Sequence, residues 1–129
     1  MAKLILVAVF MLLAADNINA TKTLPFISYY IGDTVTIPLP PSANYRRVVQ
    51  VGFDLVEQLY RVCNGKNKKT CGYWESVETK KKVASGVTTY NKKKKALIIK
   101  KMRNEDGGTY MIGNKKTSRM VMGTVRMNK

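Results

Sequence analysis

An all-β fold is what this sequence predicts, and three observations predict it. Apolar and polar residues alternate over short runs, as in Val35, Ile37 and Leu39 against Thr34, Thr36 and Pro38, and in Leu97 and Ile99 against Lys100. That is the period of a half-buried strand. Turn residues cut the runs at close intervals, at Gly32-Asp33, Pro40-Pro41, Gly107-Gly108 and Gly113-Asn114. Amphipathic helices, internal repeats and linkers are absent, and 129 residues leave room for one domain.

The stretch from Ala96 to Ile112 carries the most specific spacing. Two apolar residues lie two apart, Leu97 and Ile99, with Met102 three further on, and then Asp106, Gly108 and Tyr110 alternate. This resembles the E strand, E–F corner and F strand of an immunoglobulin-like domain, closest to the variable type, whose pattern ends Asp-x-Gly-x-Tyr-x-Cys. Ile112 stands where the cysteine would be. The resemblance implies an immunoglobulin-like antiparallel β-sandwich in which Asp106, Gly108 and Tyr110 build the corner. Tyr110 would bury its ring and bond its hydroxyl to backbone a few residues upstream. Asp106 would brace the corner on a basic residue before the next-to-E strand, Lys81 or Lys82. Without the resemblance, the same residues also fit an ordinary hairpin with a buried tyrosine, Gly107 and Gly108 supplying the positive φ of a tight turn.

Taken in order, the chain begins with Lys3, a continuous apolar run from Leu4 to Ala15 and a polar close ending on Ala20. This reads as a secretory signal peptide over residues 1–20, leaving residues 21–129 as the immunoglobulin-like domain. The run is short for a membrane span and no second one follows, so no transmembrane anchor is expected. Thr21 to Ile31 gives a first strand, with Pro25 suiting an edge and Phe26, Tyr29 and Tyr30 available for burial. Val35, Ile37 and Leu39 follow Gly32 as in the family's B strand, with Leu39 in the place of the first cysteine. Both halves of the inter-sheet disulfide are thus replaced by aliphatic residues. Pro38 lacks an amide hydrogen, so this ladder should end there or carry an irregularity.

After the loop Pro40 to Asn44, Arg47, Val49, Val51 and Phe53 can share one strand face, with Arg46, Val48 and Gln50 on the other. The family's core tryptophan is missing from this strand, so Val51 or Phe53 would fill its place. Leu55 to Cys63 and Cys71 to Val77 form a hairpin, and Trp74 is expected to pack beside a disulfide between Cys63 and Cys71. Val83 to Tyr90 is a weak strand, Lys92 to Lys95 a turn into Ala96, Gly113 to Thr117 another turn, and Ser118 to Met127 the last strand.

Catalysis has little to work with. Histidine is absent, the two thiols are expected to be oxidised, and the carboxylates are scattered. Only Glu105 and Asp106 adjoin, and neighbours on a corner do not aim two carboxylates at one bond. No enzyme, metal or cofactor is expected.

Charge is the first functional signal. The chain has 23 Lys+Arg and 8 Asp+Glu; taking away Lys3 and Asp16 leaves 22 against 7, a net +15. A small domain more usually carries about 2 to 8. Such an excess attracts polyanions, which for a secreted, extracellular chain means sulfated glycans, anionic lipid faces or microbial surfaces rather than nucleic acid. The candidates are Lys66, Lys68 and Lys69 between the cysteines, Lys92, Lys93, Lys94 and Lys95, and Lys100 and Lys101, with further pairs such as Lys115 and Lys116. Each run also fits a plain solvated turn. Lysine in place of arginine favours charge attraction over shaped recognition.

A predicted partner face is the second signal. With Tyr110 and Ile112 inward, Met111 points outward, and Met120 and Met122 join it with Val48 and Gln50 on one sheet. Variable-type domains commonly pair through this face, and methionine makes an adaptable apolar surface. A register slip would return the methionines to the core. The leading expectation is therefore a secreted binding module for an extracellular or cell-surface protein, or a homodimer, held at sulfated glycans by its basic turns. The alternative is a cationic defence-type protein acting on anionic membranes or microbial surfaces.

Overall fold

The computed structural model describes residues 26–124. The predicted signal peptide, and Val125 and Met127 of the predicted last strand, lie outside the described residues. Nine strands run in order: β1 (Ile27–Tyr29), β2 (Val35–Pro38), β3 (Asn44–Val51), β4 (Asp54–Arg61), β5 (Trp74–Ser76), β6 (Thr88–Asn91), β7 (Ala96–Ile99), β8 (Gly108–Ile112) and β9 (Ser118–Gly123). They form two sheets, one ordered β1-β9-β8-β3-β4-β5 and one ordered β2-β7-β6. All pairings are antiparallel except β1 with β9. This is an immunoglobulin-like β-sandwich, as the sequence predicts.

The alternation that marks the strands also sets their faces. In β2, Val35 and Ile37 are buried while Thr36 and Pro38 are exposed, opposite Ile99 and Leu97 of β7. The ladder stops at Pro38, where the next amide hydrogen is missing. Leu39 is fully buried just beyond it, and Ile112 packs half-buried against the same core. A fully buried leucine contributes roughly 2 kcal/mol by removal from water. Cys63 and Cys71 are bonded to each other, with Cα atoms 5.0 Å apart, within the loop that joins β4 to β5.

Several packing expectations are corrected. Of Phe26, Tyr29 and Tyr30, only Tyr29 is buried. Val51 and Phe53 do not fill the tryptophan's place, because the chain reverses at Gly52 and both side chains project from the hairpin tip, Phe53 entirely exposed. Trp74 is a core residue, 1% exposed, and not a neighbour confined to the disulfide. It reaches inward from β5 to meet Tyr60 at 5.4 Å and the edge of Tyr110 at 5.7 Å. Its indole nitrogen donates to Thr88 Oγ1 across the sheets. Tryptophan thus enters the core from a different strand, and Arg47 lies against it.

Candidate functional site

Three regions bring together the residues that sequence reasoning singled out: the corner, the outer face of the six-stranded sheet, and the turns at the two ends of the sandwich.

At the corner, one 3-10 turn (Asn104–Asp106) leads into β8. Asp106 is fully buried, and its partner is neither Lys81 nor Lys82. Arg47 Nη1 donates to Asp106 Oδ1 at 3.2 Å, with both side chains out of solvent. Arg103 Nε and the Arg103 backbone amide donate to Oδ2, and Ser85 Oγ donates to Oδ1. Arg47 completes its surroundings with Gln58 Oε1 at 2.7 Å, the Tyr110 hydroxyl at 2.9 Å and the Trp74 ring at 4.3 Å. Burial alone would raise the Asp106 carboxyl; the hydrogen bonds from Arg103 and the charges of Arg47 and Arg103 outweigh it and hold the group below its ordinary range. Tyr110 is pushed up to about 12, chiefly by burial, and donates its hydroxyl to the Asp106 carbonyl.

Gly108 carries the conformational demand of the corner, with φ at +157° and Val48 O only 2.1 Å from where a Cβ would sit. Gly107 does not share it, since its φ is −74°. The corner is a bracing device: the buried polar groups of Arg47, Asp106 and Tyr110 bond to one another.

The outer face of the six-stranded sheet has two halves. Near β4 and β5 it is ionic, with Arg46 on Glu57 at 2.7 Å, Lys115 on Glu57 at 3.5 Å and Arg61 on Glu75 at 2.7 Å. Hydrogen bonds from Arg46 and Arg61 lower the Glu57 and Glu75 carboxyls. Met111 points to this face as predicted but is only 9% exposed, flanked in register by Arg46 and Ser118, and is not part of an open surface. The other half is apolar. Val48, Gln50, Leu55, Met120 and Met122 line a shallow concavity of about 360 Å³. Leu55 is 74% exposed, Met120 50% and Met122 46%, and Phe53, two residues before Leu55 on the β3–β4 turn, is fully exposed. Leu55 and Phe53 were not singled out as partner residues; the pairing of Gln50 with Leu55 is what puts Leu55 on that face.

The predicted polyanion set is divided between the two ends. Strand direction takes the β4–β5 loop, the β6–β7 turn and the β8–β9 turn to one end, around the segment Leu39 to Asn44. Backbone bonds fasten them there: Leu39 N donates to Lys95 O and Val62 N to Ala43 O. Arg46 Nε reaches Gly113 O. Lys66, Lys68, Lys69, Lys92, Lys93, Lys94 and Lys95 therefore share one end with Lys115 and Lys116, all exposed. Lys100 and Lys101 sit instead at the corner end, a strand's length away.

The nine-lysine end holds no acidic residue in any of its turns, whereas the corner end mixes Lys80 to Lys82, Lys100, Lys101 and Arg103 with Asp33, Asp54, Glu78 and Glu105. Each lysine turn is braced by an asparagine. Asn64 Oδ1 accepts from the Lys66 amide at 2.8 Å, Asn91 Oδ1 from Lys94 at 2.9 Å and Asn114 Oδ1 from Lys116 at 2.9 Å. At the corner end Asp33 and Asp106 accept from amides three residues before them, those of Tyr30 and Arg103, and the turn at Lys80 to Lys82 is braced by the Ser76 and Thr79 hydroxyls. Sequence reasoning missed the asparagines, although each of the three lysine turns opens with one.

Among the described residues no group of histidine, cysteine or carboxylate side chains could hold a metal, and no helix is long and apolar enough to cross a membrane. Neither protein-family models nor curated proteins match the chain. Among solved structures it is similar to the extracellular domain of the voltage-gated sodium channel beta4 subunit, described as forming parallel homodimers that explain a role in cell-cell adhesion. The likeness covers 85% of this chain and 92% of that one, at 12% identity and a TM-score of 0.46. So distant a likeness carries no argument about partners or ligands.

Proposed function

We propose that the chain is a secreted, single-domain immunoglobulin-like binding module of the variable type, closed without an inter-sheet disulfide. It recognises an extracellular protein, or a second copy of itself, through the apolar half of the outer face, and its lysine turns add affinity for sulfated glycans. The observation behind this reading is the exposed concavity of Val48, Leu55, Met120 and Met122 beside a fully exposed Phe53. Contiguous exposed apolar surface on an otherwise charged domain marks a contact site. An ionic border alongside it, made by Arg46, Glu57 and Lys115, suits the polar rim that such contacts carry.

The variable-type assignment is supported by β1 pairing in parallel with β9 and by the additional strands β4 and β5 on the same sheet. Membrane attack by a cationic protein has no comparable support: the nine-lysine end has no exposed large apolar side chain to enter a bilayer.

The test is a Leu55→Glu, Met122→Glu double variant. Both side chains are exposed, so the fold and thermal midpoint should be unchanged. Self-association in sedimentation, or capture of displayed ectodomains, should be lost. Association that persists in the folded variant would show that another surface is used.

A further inference from the structure

The lysine end repeats one arrangement three times, on three turns that are not neighbours in sequence. In each, an asparagine carbonyl holds a lysine backbone amide, and lysine ammonium groups project outward. Aspartate makes this turn at least as well as asparagine, since the acceptor oxygen is the same. At the corner end Asp33 and Asp106 instead accept from amides three residues before them. Choosing the uncharged acceptor three times adds no carboxylate to the three turns, and only Glu57, on the face below, reaches one of their lysines, Lys115. The loop between Cys63 and Cys71 is further ordered before any ligand arrives. Its disulfide closes the base, and Asn67 donates from Nδ2 to Val62 O while accepting at Oδ1 from the Asn64 amide.

Lys95 and Lys115 have φ of 51° and 66°, a left-handed conformation where glycine would be relaxed, and Lys80 and Lys101 at the corner end do the same.

We infer that this end is a built polyanion site, in which Asn64, Asn91 and Asn114 act as uncharged braces so that three lysine turns bind one linear sulfated glycan. This rests on the glycan affinity proposed above and assigns it to one end. A flexible chain carrying repeated sulfates fits nine point charges spread over three separate turns. Nothing apolar is exposed among them to favour a bilayer. Lysine presents an ammonium without the fixed fork that selects one phosphate geometry.

The experiment is heparin chromatography and binding with the folded domain. Asn64→Asp, Asn91→Asp and Asn114→Asp are compared singly and together against Asn104→Asp, which adds the same charge at an exposed position of the corner turn. Each brace variant keeps its hydrogen-bond acceptor, so the thermal midpoint should hold. Affinity at physiological salt should fall roughly twofold for each and roughly eightfold for the triple variant, while Asn104→Asp stays near the natural protein. Retention of the natural protein tests glycan affinity itself; with retention established, a triple variant no weaker than Asn104→Asp overturns the assignment of the site. Equal dependence of anionic phosphatidylserine vesicle binding on the three asparagines would overturn the glycan as ligand in favour of a lipid surface.

Discussion

The two ends of the sandwich solve the same problem, turning a chain that is rich in lysine, with opposite chemistry. At the corner end a carboxylate is buried, surrounded by Arg47, Arg103 and Ser85, and the buried charges pair with one another. At the other end the turn acceptors are neutral amides, and the lysines face water unpaired but for Lys115, which reaches Glu57 on the face below. Electrostatics holds the first end together and is directed outward at the second. The difference teaches that the large net charge is not spread evenly over the surface.

The largest break in this contrast comes from the corner. Arg47→Met would leave Gln58 and Asp106 short of a donor inside the core, and removal of one partner from a buried pair costs about 3 to 5 kcal/mol. Denaturant unfolding would measure it. Acid reaches the same interaction from the other side. The Asp106 carboxyl lies below its unfolded value of 3.8, so its contribution is present above that pH and drains away as pH falls through the lower folded value. The natural protein should lose stability below about pH 4, and Arg47→Met should lose less of what remains.

A break at the lysine end is smaller. Replacing Cys63 and Cys71 by serine frees a loop whose closure is worth about 2.5 kcal/mol in the chain-entropy model. Thermal unfolding and heparin elution should both fall, because the cysteine loop carries Lys66, Lys68 and Lys69. Unaltered elution would mean that order in this loop does not matter for binding.

The smallest effect compares matched positions. Lys95 at one end and Lys101 at the other both adopt positive φ. Changing either to glycine should raise stability by about 0.5 to 1 kcal/mol, once the relief is set against glycine's extra backbone entropy. Only Lys95→Gly should also lower heparin elution. Equal losses at both positions would show that charge acts diffusely.

Much of the corner was legible in the sequence, because Asp106, Gly108 and Tyr110 interact over a few residues and their spacing is fixed by local geometry. Strand faces followed from alternation, and the arrest of β2 from Pro38. What lay hidden needed three dimensions. Arg47 was placed on the inward face with Val49, but nothing in its neighbourhood said that Gln58, Ser85 and Tyr110 would gather around it. Trp74 is expected beside the disulfide because it follows Cys71 so closely, whereas β5 turns it across the sheet into the core. Met111 shares the outward phase of Met120 yet is covered, since phase sets direction and neighbours set exposure. The division of the lysines between two ends required strand order, which periodicity does not contain.

Thr124 is fixed at the corner end, its amide bonded to Tyr29 O and Gly123 lying beside Gly107. A linkage made just after this residue therefore departs from the pole opposite the lysines. On a sensor chip or bead, coupling from that side would hold the domain like a lamp on its stand, with the cationic pole facing the solution. Orientation of the immobilised domain then becomes a controlled variable: coupling through lysine amines, nine of which crowd the cationic pole against five at the corner end, should mask much of the pole that coupling behind Thr124 displays.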